Sequence, residues 1–444
     1  MAYTKYSLTP SSNTAAPPDG APEGMLPSAV NDTMRDMMAQ IRDCGDGIRG
    51  GTYTMTAPVV TGGSISGITD LAVADGGTGA STASAARTNL GLEGLGVGNS
   101  SLMKNRIING AMVIDQRNAG ASVTPTTTGT NVYTLDRWAV QISQASKFSV
   151  QQNAGAVTPP VGFSKYLGVT SLATTSLAAG DYFVLCQNIE GFNTADLGFG
   201  TANAKTVTLS FQVYSSLTGT FGGSLSNNAG NRTYPFSYSI PVANTWTTIS
   251  VTVAGDTTGT WVGATNGTGM IVFLGLGLGS TYSGTAGSWA GTQYLSATGA
   301  TSVVGTSGAT FYITGVQLEV GSSATGFEYR QYGTELALCQ RYFQVYGDPS
   351  LVVTVIPFAQ GATTTEIDGY MTMPVTMRTT PTFTSSGLYA YDSVSGVALT
   401  GGSIYYASAS TFGGYWAATG ITVYRPYTIK TNTGGGYLRL SAEL

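Results

Sequence analysis

The sequence contains no histidine, and only 9% of its residues are charged. Without an imidazole, the chain cannot build a histidine-activated nucleophile or a histidine metal site. It also lacks a GxSxG elbow, a phosphate loop and a dinucleotide fingerprint. Soluble domains average ~25% charged residues, so the solubility of this chain has to come from Thr, Ser, Asn and Gln. These absences disfavour most enzyme classes, and we predict a protein with no catalytic residue.

Cysteine is equally scarce. Cys44, Cys186 and Cys339 are far apart and odd in number, so they do not form a disulfide framework. Their spacing does not match that of metal ligands either. We therefore predict neither a metal site nor a cofactor.

Three kinds of segment are also missing. The net charge is −4 and there is no basic run, so we expect no nucleic-acid partner. The first twenty residues lack the apolar core of a signal peptide. No stretch approaches the ~18 consecutive apolar residues of a membrane span. We expect a protein that is made in a cytoplasm without a signal peptide and is not inserted into a membrane.

What the sequence does contain favours β-structure. Hydrophobic residues make up 42% and aromatic residues 10%, with 61 glycines and 25 tyrosines. Short strands with glycine-rich turns are typical of such a composition. We predict a mostly β protein with an irregular arm and short helix (1–50), a stalk (51–105), a jelly-roll β-sandwich (106–346) and a small β domain (347–444).

The helix is predicted from an apolar seam. Ser28 can cap it, and the glycines Gly45 and Gly47 are expected to end it. The spacing of the seam alternates four and three, as in a coiled coil. Its members are Val30, Met34, Met37, Ile41, Cys44 and Ile48. The alternative is a single amphipathic helix that packs on another element, but the strict period favours self-association.

Residues 51–105 consist of short β-prone pieces interrupted by glycine. An alanine-rich turn of helix is predicted around Ala83–Leu90. A single copy of this segment cannot bury a core, so we expect it to become ordered by winding around other copies. The sequence thus predicts an interwound stalk.

The two β modules are predicted from period-2 patterns. In KTVTLSFQVY, the side chains of Val207, Leu209, Phe211 and Val213 share one face. About eight short strands between 106 and 335 suggest a two-sheet sandwich. Residues 333–346 have helical spacing and form either a helix or a strand. Beyond them, residues 347–444 return to β-patterning.

Two pairs of polar residues lie at strand spacing. Glu366 and Asp368 are two apart, which places both on one face of a strand. Paired carboxylates are what a glycosidase requires, but an exposed polar face is the more common explanation. Gln317 and Glu319 also share a face, and there the expected role is a polar ladder or a position beside a calcium ion.

Sugar binding fits the composition better than catalysis does. Sugar rings stack their C–H faces on aromatic side chains, while amides and hydroxyls complete the hydrogen bonds. Trp138 and Trp246 lie in apolar strand patterns and are predicted core, whereas Trp261 fits either role. The receptor-binding residues are predicted in glycine-rich loops of 280–294 or 411–427. They are Trp289, Tyr282, Tyr294, Tyr415 and Trp416.

Four segments resemble tail-fibre proteins of bacterial viruses. They are PEGMLPSAVNDTMRDMMAQIRD, the stalk motif DGGTGASTASAARTNLGL, the span from NRIINGAMVIDQRNAG to GFEYRQYGTELALCQRYFQVY, and MPVTMRTTPTF. The third is similar to a tail-protein β-sandwich that is distantly like carbohydrate-binding jelly rolls. One departure is Tyr329, where related fibres often carry a histidine. The resemblance implies a homotrimer, an amino-terminal attachment to other tail proteins, and a carboxyl end that faces the host.

Together these features predict a structural tail fibre of the virion that attaches to a glycan on the host surface. Many weak contacts would sum to strong attachment through avidity. One alternative is a depolymerase tailspike, which is disfavoured because no β-helical repeat is visible. The other is a structural collar or spacer protein that binds no receptor.

Overall fold

The computed structural model describes residues 26–49, scattered residues between 78 and 90, and residues 103–348, 351–432 and 435–444. The chain divides into two compact units, 1–81 and 82–444, which are described separately. The predicted fold class is confirmed, since strands predominate in the second unit. None of the helices in the described segments is long and apolar enough to cross a membrane.

Helix α1 of the first unit spans Pro27–Arg49. It begins at a proline, whose fixed φ suits the first helical position, so Ser28 lies inside the helix rather than capping it. The predicted end at Gly45 and Gly47 is wrong, because the helix continues through both. A helical glycine costs only about 1 kcal/mol relative to alanine and leaves the backbone hydrogen bonds intact.

The apolar seam of α1 is open to solvent in the single chain. Val30, Met34, Met37 and Ile41 are all exposed. The side chains of Cys44 and Ile48 lie outside the described residues. A helix with this much uncovered apolar surface needs a partner, and the identity of that partner stays a prediction.

The predicted stalk lies mostly outside the described residues, and so does the winding expected of it. Its alanine-rich helical turn is confirmed. The amide of Ala86 donates to the carbonyl of Thr82 at 2.9 Å, and the amide of Leu90 donates to Ala86 at 3.0 Å. The Thr82 hydroxyl accepts from the amide of Ala85 at 3.2 Å.

The second unit begins with a β-sandwich of two antiparallel sheets. In spatial order, the six-stranded sheet contains β1 (Val132–Leu135), β2 (Trp138–Ile142), β5 (Tyr182–Glu190), β10 (Thr268–Leu278), β7 (Gly219–Ser226) and β8 (Thr233–Ile240). The five-stranded sheet contains β3 (Phe148–Gln152), β4 (Leu167–Ser171), β13 (Thr310–Val320), β6 (Val207–Ser215) and β9 (Thr247–Val253). A short parallel pair, β11 (Ser283–Gly284) and β12 (Ser296–Ala297), lies apart from both sheets.

The core between these sheets follows the predicted alternation. Along β6, Val207, Leu209, Phe211 and Val213 are all buried in it. Trp138 is buried there as well, which confirms its predicted place in the core. The glycines of β7 and Pro235 of β8 weaken the strand pattern of these two segments in the sequence.

The segment from 333 to 346 forms both of its predicted alternatives in turn. Helix α2 (Tyr332–Gln340) leads into strand β14 (Phe343–Asp348). Strand β14 pairs with a strand near the end of the chain, β23 (Gly436–Ser441). The predicted domain boundary at 346/347 therefore falls inside a strand, and β14 belongs to the following module.

We call that module, residues 343–444, the tip domain. It packs a three-stranded sheet against a seven-stranded one. The small sheet has the order β14, β23 and β17 (Thr382–Ser386). The large sheet has the order β19 (Gly396–Ala398), β18 (Leu388–Tyr391), β22 (Pro426–Thr431), β15 (Thr354–Thr363), β16 (Glu366–Thr372), β21 (Thr411–Ala417) and β20 (Thr400–Ala407). Their shared core includes Ile356, Ile367, Phe412, Trp416, Ile429 and Leu440.

The tip domain is joined to the sandwich by the residues after β23. Glu443 accepts hydrogen bonds from Arg117 and Arg137, and Arg137 is fully buried. The guanidinium of Arg137 also lies 3.6 Å from the centre of the Tyr342 ring. The main-chain oxygen of Leu444 accepts from the hydroxyl of Tyr133 at 2.7 Å. These contacts hold the two modules in one compact unit.

Candidate functional site

The seven-stranded sheet of the tip domain has one buried face and one open face. Along β16, Ile367 points into the core, whereas Glu366, Asp368 and Tyr370 lie on the other side. The prediction that the two carboxylates share a face is therefore confirmed. Because side chains alternate along a strand, the same face also carries Tyr370, two residues beyond Asp368. We call this open side of the sheet the tip face.

An aromatic ridge crosses the middle of the tip face. Phe358 on β15 is paired directly with Tyr370 on β16. Phe358 is 74% exposed and Tyr370 is 43% exposed. The ring of Tyr370 reaches over Gly413 on β21, where a Cβ atom would come within 2.9 Å of it. Glycine at this position lets the ring lie flat against the neighbouring strand.

A hollow of about 500 Å³ lies on one side of the ridge. Tyr391, Asp392, Tyr424 and Pro426 line its outer part. Tyr424 is 80% exposed and has a φ of 62°, in the left-handed region. Such a conformation costs a bulky residue about 1–3 kcal/mol and is often found at functional sites. The amide of Tyr424 donates to the carbonyl of Gly361 at 2.9 Å, which holds the ring outward.

A second hollow of about 570 Å³ lies on the other side of the ridge. Tyr346, Tyr406 and Thr411 contribute to its walls. The two hollows share Phe358 and Tyr370, so the ridge separates them. Both volumes lie within the ~300–1,000 Å³ of small-molecule sites. The first hollow lies on the tip face, whereas the second reaches toward the covered side of the sheet, because Tyr346 of the small sheet and residues of the shared core also line it.

Tyr405, Tyr406 and Tyr415 add further rings to the tip face. The pairing of β20 with β21 shifts register between Ile404 and Tyr406. This irregularity places the consecutive residues Tyr405 and Tyr406 both at the surface, as bulges do elsewhere. Tyr415 lies edge-on to Tyr405 at 6.1 Å between ring centres. Tyr415 therefore lies among exposed aromatic residues, but on strand β21 and not in a loop as predicted.

Asp368 lies among these rings in a partly buried position. It is paired with Gln360 on one neighbouring strand and with Tyr415 on the other. Burial raises the pKa of Asp368 above its ordinary value, while a hydrogen bond from Tyr370 opposes the rise. Its Oδ1 is buried and has no hydrogen-bond partner within the described segments. An unsatisfied acceptor costs free energy unless a ligand or water supplies a donor.

This arrangement suits a ligand that has apolar faces and hydroxyl donors. The rings offer flat apolar surface, and Asp368 and Gln360 offer polar atoms between them. Lys430 lies 4.0 Å from the centre of the Tyr391 ring, toward the other end of the sheet.

Trp416 is not part of this face. The sequence predicted it as an exposed residue, but it is 0% exposed. Its indole N–H donates to the hydroxyl of Ser385 at 3.0 Å, and its ring packs against Phe383 and Phe412. The prediction of exposure is wrong because Trp416 follows Tyr415 in a strand, so the two side chains point to opposite faces.

The predicted residues of the sandwich are half-buried and lie mostly against other rings. Trp289 donates to the carbonyl of Ala254 at 2.8 Å. Its ring also packs edge-on against Phe199, Tyr234 and Trp261. The ring-centre distances of these three contacts are 5.8, 5.2 and 5.6 Å. Trp261, which the sequence left open, therefore belongs to the same cluster and packs against the sandwich core.

Tyr282 and Tyr294 lie near β11 and β12. The ring of Tyr282 meets Tyr182 edge-on at 5.0 Å, and the ring of Tyr294 covers Gly284, where a Cβ atom would come within 2.2 Å. The three predicted residues Trp289, Tyr282 and Tyr294 thus do not form one open surface, because the connection that carries them folds back onto the sandwich.

The prediction that Trp246 belongs to the core is wrong. Trp246 is half-buried in a separate cluster with Tyr166, Tyr214 and Tyr312. Tyr214 and Tyr312 are stacked there at 5.4 Å with their planes 5° apart. Tyr214 and Tyr312 occupy the β6 and β13 positions that alternate with core residues, so the cluster lies outside the main core.

The remaining polar candidates are buried and partnered. Gln317 donates to Glu319 at 2.9 Å, and Glu319 accepts from the amide of Thr325 at 2.8 Å. Both residues share a face as predicted. Cys186 and Cys339 are free and buried. Within the described parts of the chain, no cluster of three or more Cys, Asp or Glu residues is arranged to hold a metal ion.

Sequence analysis missed most of the rings on the tip face. Phe358, Tyr370, Tyr391 and Tyr406 were not predicted, because exposed rings were expected in glycine-rich loops, whereas Tyr424 lies within the predicted range 411–427 but was not named. A usable signal was present in EIDGYMT, where Glu366, Asp368 and Tyr370 recur with a period of two. That pattern predicts that the acids and the ring share one face.

No family model matches the sequence, and no curated protein is similar to it. Solved structures with partial similarity include an enzymatically active domain of tailspike protein 4 from bacteriophage CBA120, at 12% identity and a TM-score of 0.26, over 49% of this chain and 22% of that one. A putative sugar-binding protein from Bacteroides thetaiotaomicron matches at 11% identity and a TM-score of 0.28, over 49% and 100%. A family 11 carbohydrate-binding module from Clostridium thermocellum was solved with a mixed-linked tetrasaccharide. It matches at 11% identity and a TM-score of 0.23, over 45% of this chain and 98% of that one. The identities and TM-scores are too low to assign this chain to the family of any of these proteins.

Proposed function

We propose that this chain is the receptor-binding fibre of a bacterial virus tail, and that it attaches the virion to a glycan on the host surface. The observation that carries the proposal is the tip face, where exposed rings surround Asp368 and its unpartnered Oδ1. The amino-terminal region would attach the fibre to other tail proteins. The motif resemblance described under the sequence supports the viral part of the proposal.

A sugar ring satisfies each feature of the tip face. Its C–H face can stack on Phe358 or Tyr370, which gains about 0.5–1.5 kcal/mol beyond burial of area. Its hydroxyls can donate to Asp368, whose Oδ1 would otherwise remain unpaired. Glu366 on the same side adds a second carboxylate. A neutral sugar therefore fits better than a uronic acid, whose charge these carboxylates would repel.

Weak single sites suit a fibre that acts as a homotrimer. The exposed apolar seam of α1 supports self-association, because water penalises such a surface. Three tip faces on one fibre would bind cooperatively through effective concentration. Light scattering of the purified chain is expected to give three times its 45.6 kDa mass. A stable monomer would remove this part of the proposal.

The decisive experiment is competition for adsorption. Purified chain is expected to block virus adsorption, and the double variant Phe358→Ala/Tyr370→Ala is expected to fold normally but to block poorly. Phe192→Ala is the matched control, because Phe192 is an exposed ring of the sandwich outside the tip face. Normal blocking by the double variant would refute the tip site. Failure of the wild-type chain to block would favour a collar or spacer role.

A glycan-cleaving activity is the second candidate, because Glu366 and Asp368 share a face and the pKa of Asp368 is raised. A carboxyl group with a raised pKa is suited to act as a general acid. We expect no oligosaccharide release from host glycan by the wild-type chain. Release that disappears in Glu366→Gln/Asp368→Asn would establish an enzyme instead.

A further inference from the structure

A separate cleft of about 390 Å³ opens in the sandwich, far along the chain from the tip-face strands. It is bounded by residues that follow the stalk, by the loop around Phe163, and by the segment between β13 and α2. None of its lining residues belongs to the tip face. Nothing in the proposed function uses this cleft.

One wall of the cleft is made of three rings. Phe163 and Phe327 are 5.1 Å apart, Phe327 and Tyr329 are 4.9 Å apart, and Phe163 and Tyr329 are 5.5 Å apart. The rings contact each other, so they form a continuous wall rather than a cage around a cation. Tyr329 is 59% exposed even so. The three pairs of rings are inclined at 67°, 75° and 38°, so the wall is not flat, and Tyr329 is the ring that offers exposed apolar surface to a ligand.

Two glycines hold these rings in position. A Cβ atom on Gly315 would come within 2.6 Å of the Phe163 ring, and Gly315 has a φ of 63°. A Cβ atom on Gly162 would come within 2.7 Å of the Tyr329 hydroxyl. Both glycines therefore allow a close approach that any other residue would prevent.

The residues between the rings form the polar side of the cleft. In the extended segment 327–330, Phe327 and Tyr329 alternate with Glu328 and Arg330. The side chain of Arg330 is only 6% exposed. Its Nη1 donates to the carbonyl of Ile107 at 3.0 Å, and its terminal nitrogens lie 3.3 and 3.5 Å from Glu328 and Glu335.

One donor of Arg330 is left over. Its Nε is buried and has no hydrogen-bond partner in the described residues. Four other arginine Nε atoms in the described residues are buried and unpaired in the same way, so this atom alone does not indicate a ligand. Because Glu328 and Glu335 both flank Arg330, the local charge is negative overall. An anionic group is therefore disfavoured, whereas a neutral hydroxyl can donate to a carboxylate.

We propose that this cleft is a second glycan site, which takes one neutral pyranose unit with its C–H face against the ring wall. The volume lies at the lower end of small-molecule pockets, which start near ~300 Å³. The ring wall and the buried polar floor match the two sides of a pyranose. Each chain would then bind glycan at two places, in the sandwich and at the tip.

Binding is tested with the full chain in a Phe358→Ala/Tyr370→Ala background, which disables the tip face. Saturation-transfer NMR is performed with methyl α-D-glucopyranoside, methyl β-D-galactopyranoside and, as the anionic control, D-glucuronate. We expect transfer to at least one neutral methyl glycoside and weaker transfer to glucuronate. Absence of transfer to both neutral sugars, or stronger transfer to glucuronate, would overturn the proposal.

The position of the sugar is tested in the same background. Tyr329→Ala is expected to weaken binding about three- to tenfold, as loss of one stacked ring does, while Tyr329→Phe retains the ring and most of the affinity. Tyr332→Ala is the control, since Tyr332 is 63% exposed but does not line the cleft. Unchanged binding in Tyr329→Ala, with its melting temperature preserved, would place the sugar elsewhere. This result is independent of adsorption, so the cleft and the tip proposal can fail separately.

Discussion

The connection between β10 and β13 of the sandwich and the open face of the tip domain use aromatic residues in opposite ways. In the sandwich, the connection between β10 and β13 folds back, so that Tyr282 meets Tyr182 and Trp289 packs among three rings. In the tip domain, only one face of the large sheet is covered by the small sheet, and Phe358 and Tyr424 remain exposed. Aromatic residues become available for binding where no connection covers the sheet.

The comparison also shows what predicts whether an aromatic side chain is exposed. The residue type is a weaker guide than the face of the strand to which the side chain points. Trp416 and Tyr415 are neighbours in β21, yet one is in the core and the other is on the tip face. A tryptophan between glycines can equally well fill a core. The position of a side chain within its strand decides which of the two roles it has.

The largest expected effect tests the two faces of β21 directly. Trp416→Ala is expected to lower the free energy of unfolding by about 3–5 kcal/mol, because it leaves a cavity in the tip core. Tyr415→Ala, one residue away on the open face, is expected to change it by less than about 0.5 kcal/mol. Denaturant titration measures both. Equal losses in the two variants would contradict the assignment of opposite faces.

A second effect tests whether the two modules unfold together. Glu443→Gln removes the charge that pairs with the buried Arg137, and we expect a loss of about 1.5–3 kcal/mol, as for hydrogen bonds to charged groups. We also expect calorimetry of this variant to show separate unfolding transitions for the sandwich and the tip domain. Asp32→Asn is the control, because Asp32 and its partner Arg35 are 68% and 71% exposed and surface pairs contribute only ~0–1 kcal/mol. A single unchanged transition in Glu443→Gln would show that other contacts couple the modules.

A third effect tests whether Trp289 is structural. Its ring is half-buried against Phe199, Tyr234 and Trp261, so Trp289→Ala is expected to cost about 1–3 kcal/mol, less than a fully buried tryptophan. Adsorption measured below the melting temperature is expected to stay normal. If Trp289→Ala melts normally and adsorbs poorly, the contrast between sandwich and tip fails, and the original prediction of a receptor site at Trp289 is restored.

The smallest effect concerns pH at the tip face. Burial raises the pKa of Asp368 in the folded chain, so the folded state holds its proton more tightly than the unfolded state does. The stabilising contribution of this group is complete below the ordinary pKa of about 3.9 and is lost as the pH rises through the folded value. The melting temperature of the Asp368→Asn variant should therefore change less with pH than that of the wild type. Melting temperatures from pH 3.5 to pH 7 check this, and parallel curves for the two proteins would argue against a buried carboxylate.

The alternation of residues was enough to predict most local structure. The β6 face, the buried Trp138, the shared face of Glu366 and Asp368, and the β-character of residues 347–444 all follow from a period of two. This succeeds because adjacent side chains of a strand must point in opposite directions. The exposed α1 seam was likewise visible as a heptad pattern.

Tertiary structure alone decided which polar and aromatic surfaces stay open. Which face of the large sheet the small sheet covers depends on the pairing of β14 with β23, residues about ninety positions apart in the chain. Trp246 likewise packs with Tyr166 and Tyr214, which lie tens of residues away in the chain, so long-range contacts also decided its place outside the main core. Local patterns specify the two sides of a strand, but only long-range packing decides which side loses its contact with water.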